Sequence, residues 1–217
     1  MLATQGRKLV ETGYLDLARA VSGYDKVYLD IGAGSGKFIY HLAKDHPEDY
    51  FIGLETSQDS LLDYARRIEK KPSRGGLPNV KYIIGSIESP PKELKGIADV
   101  VFINYPWTKF LRALVTGEAS TLRKISSLFM DGGVLNMTLC YDRRYEPLFV
   151  DEYCLPDLSE ELFRGQMSRS YSEQGFELEF LEAINSDEMK RGRSEWGKKL
   201  AFSRDRMAWK VRFHKVS

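Results

Sequence analysis

The stretch YLDIGAGSGKFIY, residues 28–40, is the strongest indication of the fold of this chain. An apolar run ends in Asp30, and glycines follow at every second position, at Gly32, Gly34 and Gly36. A strand that passes through a glycine turn into a helix lets a ligand approach the backbone closely and places it near a helix N-terminus. The pattern therefore predicts a ligand-binding turn after the first strand of an α/β fold.

Runs rich in Val, Ile, Tyr and Phe recur outward from this turn and alternate with helical patterns. The predicted strands are 27–31, 50–55, 80–85, 98–104, 132–141, 176–184 and 206–214. Predicted helices follow Ser57, as N-cap, and lie near 159–174 and 190–203. Such alternation predicts a mostly parallel sheet of seven strands with helices on both faces and a ligand site beyond the carboxyl ends of the strands.

Length and composition predict one globular domain over residues 1–217, with a short N-terminal extension of about residues 1–24. The chain lacks an apolar run of the ~18 residues that a membrane helix needs, and its start lacks a secretory signal, so we expect a cytoplasmic protein. Cys140 and Cys154 lack C-x-x-C spacing and the three histidines are scattered, so we expect neither a disulfide nor a metal site. We also expect a monomer.

Charge is distributed unevenly, although the net charge is only +1. Residues 146–188 carry twelve acids and two arginines, whereas residues 190–215 carry ten bases and two acids. A second basic run contains Arg66, Arg67, Lys70, Lys71 and Arg74, and it continues into the loop PSRGGLPN. Each basic run is compatible with an ordinary solvated surface, but together they are also compatible with a binding surface for a polyanion.

Three kinds of glycine-rich binding site are possible interpretations of this turn. A P-loop requires glycine at Ile31 and a hydroxyl at Phe38, and the dinucleotide fingerprint requires glycine at Lys37. The remaining pattern, D-x-G-x-G-x-G over 30–36, resembles the first motif of class I methyltransferases that use S-adenosylmethionine. The resemblance implies that Glu55, about 20 residues downstream, binds the ribose hydroxyls, and that Glu88 in SIES (86–89) clamps the cofactor's adenine.

The tetrapeptide Asn104-Tyr105-Pro106-Trp107 comes at the end of the fourth predicted strand. Class I methyltransferases normally recognise the methyl acceptor from this position. The tetrapeptide departs from the [DN]-P-P-[FYW] motif that serves exocyclic amines. A ring nitrogen such as adenine N1 already has an in-plane lone pair and needs positioning more than a general base. An extruded base is usually stacked between aromatic side chains. Trp196 is the candidate partner of Trp107, although it could instead pack on Leu200, and Trp209 is expected in the core.

Three segments make the chain similar to the Npm/Kam-type 16S rRNA (adenine-1408-N1) methyltransferases, which confer aminoglycoside resistance. They are EKKPSRGGLPNV (69–80), the PW of 106–107 and SEWGKKLAFSRDR (194–206). The resemblance implies a class I methyltransferase that acts on the 30S subunit, with Trp107 and Trp196 sandwiching the flipped adenine beside Pro106. The implied cofactor residues are Asp30, Gly32, Gly34, Gly36, Glu55, Ile87, Glu88, Asn104 and Ser194. The implied rRNA contacts are Arg66, Arg67, Lys70, Lys71, Arg74, Lys199, Arg204 and Arg206.

The chain departs from that family at several positions. The family usually has an acid at Ser35, aspartate at Glu55, a hydroxyl near Lys109 and arginine at Lys199, and some members have arginine at Tyr153. Lysine and tyrosine cannot make arginine's bidentate phosphate contact. Two other functions stay open: a tRNA guanine-N7 methyltransferase, and a cofactor-binding RNA-binding or assembly protein without catalysis.

Overall fold

The computed structural model describes residues 1–202 and 204–216. These residues form two compact units. The first unit comprises Met1–Phe102 and Leu128–Met130, and the second comprises Ile103–Ser127 and Asp131–Ser217. The prediction of a single domain over 1–217 stays a prediction.

The first unit is a sheet with helices and contains the glycine turn. Its strands are β1 (Leu2–Gln5), β2 (Lys8–Glu11), β3 (Val27–Ile31), β4 (Tyr50–Glu55), β5 (Val80–Ile84) and β6 (Ala98–Asn104), of which β6 ends in the second unit. Its helices are α1 (Tyr14–Val21), α2 (Lys37–Asp45) and α3 (Gln58–Ile68), with short 3-10 turns at Pro72–Arg74 and Lys92–Leu94. Within this unit the strand order is β2-β1-β5-β4-β3-β6.

Strands β3, β4, β5 and β6 pair in parallel, so their carboxyl ends lie at one edge. Helices α2 and α3 turn apolar faces inward, and Ile39, Leu61 and Ala65 join one buried cluster with Tyr82 of β5. Ser57 caps α3 as predicted, because its Oγ accepts a hydrogen bond of 3.3 Å from the Ser60 amide. The glycine turn and Glu55 therefore follow adjacent strands at the same edge.

The second unit contains an antiparallel sheet and the remaining helices. Its strands are β7 (Phe129–Leu139, whose first two residues belong to the first unit), β8 (Phe176–Asn185) and β9 (Met207–Lys215), in the order β7-β9-β8. Its helices are α4 (Thr108–Thr116), α5 (Ala119–Ser126), α6 (Pro147–Glu152), α7 (Glu160–Leu162), α8 (Ser168–Ser172), α9 (Ser186–Arg191) and α10 (Glu195–Phe202), with a π-helical turn at Phe163–Met167.

All seven predicted strands are present and the α/β fold is confirmed, but the described residues contain nine strands. The difference is an N-terminal hairpin, β1 and β2, in the segment predicted to be an extension. Gly6 has a φ of +62° in its turn, and β1 pairs antiparallel with β5. Strands β1 and β2 have only four residues each, which is too short for a distinctive alternation of apolar and polar residues.

The two helices predicted near the C-terminus have different outcomes. The predicted helix 159–174 is present as one uninterrupted helical run over residues 160–172, in which Phe163–Met167 form a π-helical turn. The predicted helix 190–203 is instead α9 and α10, because Gly192 ends α9 in an extended conformation. Its predicted last residue, Ser203, lies outside the described residues. Across the described part of the chain, no helix is both long enough and apolar enough to cross a bilayer.

Candidate functional site

The glycine turn adopts a backbone that side chains would disfavour. Gly32, Gly34 and Gly36 have φ values of +78°, +55° and +77°. A Cβ at Gly36 would also lie 2.5 Å from Cε1 of Tyr82, whereas one at Gly32 or Gly34 would meet no described atom within 4 Å. Backbone conformation therefore explains the first two glycines, and close packing adds a second reason for the third.

Tyr82 of β5 holds the end of this turn in place. Its hydroxyl donates a buried hydrogen bond of 2.8 Å to the carbonyl of Gly36, the N-cap of α2. Burial raises the pKa of Tyr82, so the hydroxyl stays protonated and remains a donor. The turn is thus held in its conformation by the core of the first unit.

Glu55 faces the turn across the edge of the sheet. Its Oε2 accepts from the amide of Gly34 at 2.9 Å, and its Oε1 accepts from the amide and hydroxyl of Thr56 and the amide of Ser57 at 2.7, 2.9 and 3.1 Å. A carboxylate offers about four acceptor positions. Oε2 therefore keeps acceptor capacity for one hydroxyl, and a second ligand hydroxyl would replace that of Thr56.

The other predicted cofactor residues of the first unit differ in exposure. Asp30 is 3% exposed at the end of β3. Ile87 is buried, whereas Glu88 is exposed in a turn closed by a bridge between Ser86 and Ser89. Glu88 is accessible to a ligand, and Ile87 holds the turn against the core.

The 104–107 turn in the second unit has an unusual backbone. Tyr105 and Thr108 both have a φ of +53°, which is uncommon for residues with a side chain. The amide of Tyr105 donates to the carbonyl of Thr138 at 2.7 Å, and the Thr138 hydroxyl donates to Oδ1 of Asn104 at 3.1 Å. Nδ2 of Asn104 is buried and has no hydrogen-bond partner among the described residues. This donor is suited to an acceptor atom of a ligand.

Trp107 and Trp196 lie in the same unit but in different surroundings. Trp107 is half-buried after the buried Pro106, and its indole stacks on Phe149 with ring centroids 4.1 Å apart and an interplanar angle of 7°. Trp196 is 47% exposed on α10, so its indole is not part of the core. Trp209 packs on buried Phe163 with centroids 5.0 Å apart, in line with its expected core position.

Helix α10 holds Trp196 through local hydrogen bonds and one close contact. The hydroxyl of Ser194 accepts from the amide of Gly197 at 3.2 Å, so Ser194 caps this helix. A Cβ at Gly197 would lie 2.6 Å from Cζ and Oη of Tyr105. Nζ of Lys199 lies 5.9 Å from the centre of the Trp196 ring. The glycine after Trp196 therefore packs against the residue two positions before Trp107.

The basic loop after α3 is tightly folded. The guanidinium of Arg67 lies 4.9 Å from the ring centre of Tyr40, and the hydroxyl of Tyr40 donates to the carbonyl of Gly75 at 2.8 Å. A Cβ at Gly76 would lie 1.6 Å from the carbonyl oxygen of Lys70. The remaining predicted contacts, Arg66 at the end of α3 and Lys70, Lys71 and Arg74 after it, are exposed. The loop presents its cations from a defined backbone.

Arg206 lies in a different environment from the other predicted rRNA contacts. It is 4% exposed and its guanidinium forms an ion pair with Glu146. Arg204 is exposed, and the guanidinium groups of both arginines lie 5.0 Å from the ring centre of Tyr145. This placement favours a structural role for Arg206, because a buried, paired guanidinium does not reach a phosphate.

One group of possible metal ligands occurs in the described residues. His46, Glu48 and Asp49 bring their ligand atoms within 4.8 Å of one another. His46 and Glu48 share a hydrogen bond of 3.2 Å at the surface, which accounts for their proximity. The prediction of no metal site stays a prediction.

The comparisons with known proteins agree with this geometry. A family model described as "NpmA: 16S rRNA (adenine(1408)-N(1))-methyltransferase" matches residues 3–215. The chain belongs to this family. A family member from Escherichia coli, a 16S rRNA (adenine(1408)-N(1))-methyltransferase, is 32% identical over 99% of this chain and 98% of its own length. The crystal structure of the aminoglycoside resistance methyltransferase NpmB1 superposes with a TM-score of 0.84 at 28% identity, covering 100% of both chains.

Membership of the NpmA family confirms the predicted class I methyltransferase fold. A tRNA (guanine-N(7)-)-methyltransferase from Leuconostoc mesenteroides is 35% identical but matches only 38% of this chain and 38% of its own length. The family match therefore favours the rRNA enzyme over that alternative. The residues that sequence reasoning missed are Phe149, Tyr105 as a packing residue, and Gly197. Only the glycine inside a helix gave a local signal.

Proposed function

We propose that this protein transfers a methyl group from S-adenosylmethionine to N1 of adenine 1408 in 16S rRNA and thereby confers aminoglycoside resistance. The observation that carries the proposal is the packing of Tyr105 against Gly197, which joins the segments containing Trp107 and Trp196 within one unit of an NpmA-family chain. Its substrate is the 30S subunit, and the enzyme acts as a monomer in the cytoplasm.

The first unit has features that fit the cofactor. The backbone at Gly32 and Gly34 is open to a close approach, and Oε2 of Glu55 keeps capacity for a ribose hydroxyl. Exposed Glu88 would hold the cofactor's adenine. Asn104 stays a predicted cofactor residue, since its buried Nδ2 has no hydrogen-bond partner among the described residues. When bound, S-adenosylmethionine would supply an electrophilic methyl carbon: as N1 bonds to it, the carbon–sulfur bond would break, S-adenosylhomocysteine would leave, and the positive charge of the sulfonium would pass to the adenine.

The second unit would hold the base. Stacking on an aromatic ring contributes about 1–3 kcal/mol per base, so two indoles can offset the unstacking of one adenine. N1 attacks with its own lone pair, and no general base is needed. Burial raises the pKa of Tyr105, so its hydroxyl remains protonated at neutral pH and does not act as a base.

The exposed cations would bind the phosphates of folded rRNA. We retain Arg66, Arg67, Lys70, Lys71, Arg74, Lys199 and Arg204 in this role and assign Arg206 to the structure of the second unit. Contacts of this kind give affinity without sequence specificity, and binding should weaken steeply with salt.

The test is to incubate the protein and labelled S-adenosylmethionine with purified 30S subunits and, in parallel, with tRNA, and then to map the product by reverse transcription. We expect label in 16S rRNA and a stop next to adenine 1408. Label in tRNA instead, or measurable cofactor binding without transfer to any ribosomal substrate, would overturn the proposal.

A further inference from the structure

The indole of Trp107 already has an aromatic partner. Phe149 lies parallel to it, with 4.1 Å between ring centroids and 7° between planes. An indole has two faces, so one face of Trp107 is covered and a base can stack only on the other. Alternatively, Phe149 would have to leave when the base arrives. The surroundings of Phe149 distinguish these two arrangements.

Phe149 is part of a short helix that is fixed at both ends. The preceding N-cap, Glu146, accepts from the amide of Asp142 at 3.1 Å and forms the buried ion pair with Arg206. At the other end, the amide of Leu155 donates to the carbonyl of Val150 at 2.9 Å, and Val150 is fully buried. The chain on either side of Phe149 is therefore anchored.

A second ring restrains Phe149 further. Tyr153 lies 5.0 Å away, tilted by 45°, so three aromatic side chains follow one another from Tyr153 through Phe149 to Trp107. Aromatic pairs contribute about 0.5–1.5 kcal/mol in addition to the free energy gained from the surface area that they bury. Removing Phe149 from Trp107 would break both contacts.

We propose that Phe149 is a positioning residue for methyl transfer, which orients the indole of Trp107 so that the flipped adenine stacks on its opposite face. The proposal rests on the proposed function, because it needs a base on Trp107. Bound RNA would then extend the row of rings from Phe149 and Trp107 to the adenine and Trp196. A target base held by a misaligned indole would bind but react slowly, since reactivity depends on near-attack geometry.

The experiment compares Phe149→Leu, which keeps an apolar side chain without a ring, with Phe149→Tyr, which keeps the ring. Leu148→Ala is the matched control, because Leu148 is the neighbouring residue of the same helix and is 84% exposed. Each variant is assayed on 30S subunits for kcat and KM, and cofactor affinity is measured by calorimetry. Fluorescence anisotropy of Trp107 is followed in a Trp196→Phe, Trp209→Phe background.

For Phe149→Leu we expect kcat to fall by about 3- to 10-fold, from the free energy of one aromatic pair, with KM and cofactor affinity unchanged. Phe149→Tyr should restore kcat, and Leu148→Ala should match the wild type. The anisotropy of Trp107 should fall in Phe149→Leu and not in Phe149→Tyr.

Other outcomes overturn the inference in distinguishable ways. A higher kcat or tighter RNA binding in Phe149→Leu would mean that Phe149 occupies the site of the base. Wild-type kinetics with unchanged anisotropy would mean that Phe149 does not orient Trp107. In both cases the proposed function stands if the wild-type protein methylates adenine 1408. If the wild type does not, the function and this inference fail together.

Discussion

The ring of Tyr105 packs against the backbone of Gly197, at a distance that leaves no room for a Cβ. This contact joins two segments that are far apart in the chain, the turn that leads to Trp107 and helix α10, which contains Trp196. Glycine normally weakens a helix interior by about 1 kcal/mol relative to alanine. Here the close approach of the ring is a physical reason for glycine in α10.

Gly197→Ala should therefore destabilise the protein despite its higher helix propensity. The new Cβ would lie 2.6 Å from Cζ of Tyr105, and relieving such overlap typically costs about 1–3 kcal/mol. Urea unfolding measures this loss of stability, and the methylation assay measures its effect on activity. The double variant Tyr105→Leu, Gly197→Ala should recover part of the lost stability. A single alanine variant more stable than the wild type would contradict the steric explanation.

Trp196→Ala should abolish most methylation and leave the fold and cofactor affinity nearly intact. The side chain is 47% exposed, and loss of one base stack of about 1–3 kcal/mol corresponds to roughly 5- to 150-fold in rate. Trp209→Ala is the matched comparison, because that indole packs on buried Phe163 and its loss should lower the free energy of unfolding. Wild-type activity of Trp196→Ala would remove Trp196 from the site.

Glu55→Gln should weaken S-adenosylmethionine binding. One carboxylate oxygen becomes an amide donor and faces a backbone N–H, either that of Gly34 or those of Thr56 and Ser57. Hydrogen bonds to charged groups contribute about 1.5–3 kcal/mol, so we expect the Kd to rise about 10-fold or more in calorimetry. Asp59→Asn, an exposed acid in the first turn of α3, is the control and should bind normally. Equal affinities for both variants would argue against the assigned role of Glu55.

Lys199→Ala and Arg206→Ala should impair different properties, the first 30S affinity and the second the stability of the fold. Lys199 is exposed, so its loss should lower 30S affinity and reduce the slope of log K against log salt by about 1, without changing stability. Arg206 is the buried partner of Glu146, and removing one member of such a pair costs about 3–5 kcal/mol. Thermal unfolding and filter binding separate the two effects. Normal stability of Arg206→Ala would contradict its structural role.

Stability should fall at alkaline pH because of Cys140. Burial raises the pKa of this thiol to about 11, against about 8.5 in the unfolded chain. Between these values the unfolded state loses the proton that the native state keeps. The free energy of unfolding should therefore decrease as pH rises, by at most about 1.4 kcal/mol per unit from this group, while below pH 8 its contribution is complete.

Urea unfolding at pH 8, 9 and 10 measures this decrease, and Cys140→Ala should flatten it. A thiol reagent provides an independent check at pH 8. Exposed Cys154 should react in the native protein, and buried Cys140 only after unfolding. Rapid labelling of both cysteines in the folded state would be inconsistent with the raised pKa.

Features that depend on local patterns could be predicted from the amino-acid sequence. The alternation of apolar strands and amphipathic helices predicted the α/β fold, and glycines at 32, 34 and 36 predicted the turn that their positive φ values require. Ser57 was recognisable as an N-cap because capping involves neighbours within one turn. The segments that identify the NpmA family are likewise continuous stretches of sequence.

Which side chains meet could not be predicted in this way, because it depends on tertiary packing. Residues 149 and 107 are separated by two helices and a strand, and the stacking of Phe149 on Trp107 has no local sequence signal. Arg206 looked like another surface cation of the basic tail, but it is buried against Glu146. Local patterns record the period of each element, whereas pairings of this kind depend on how elements distant in sequence pack.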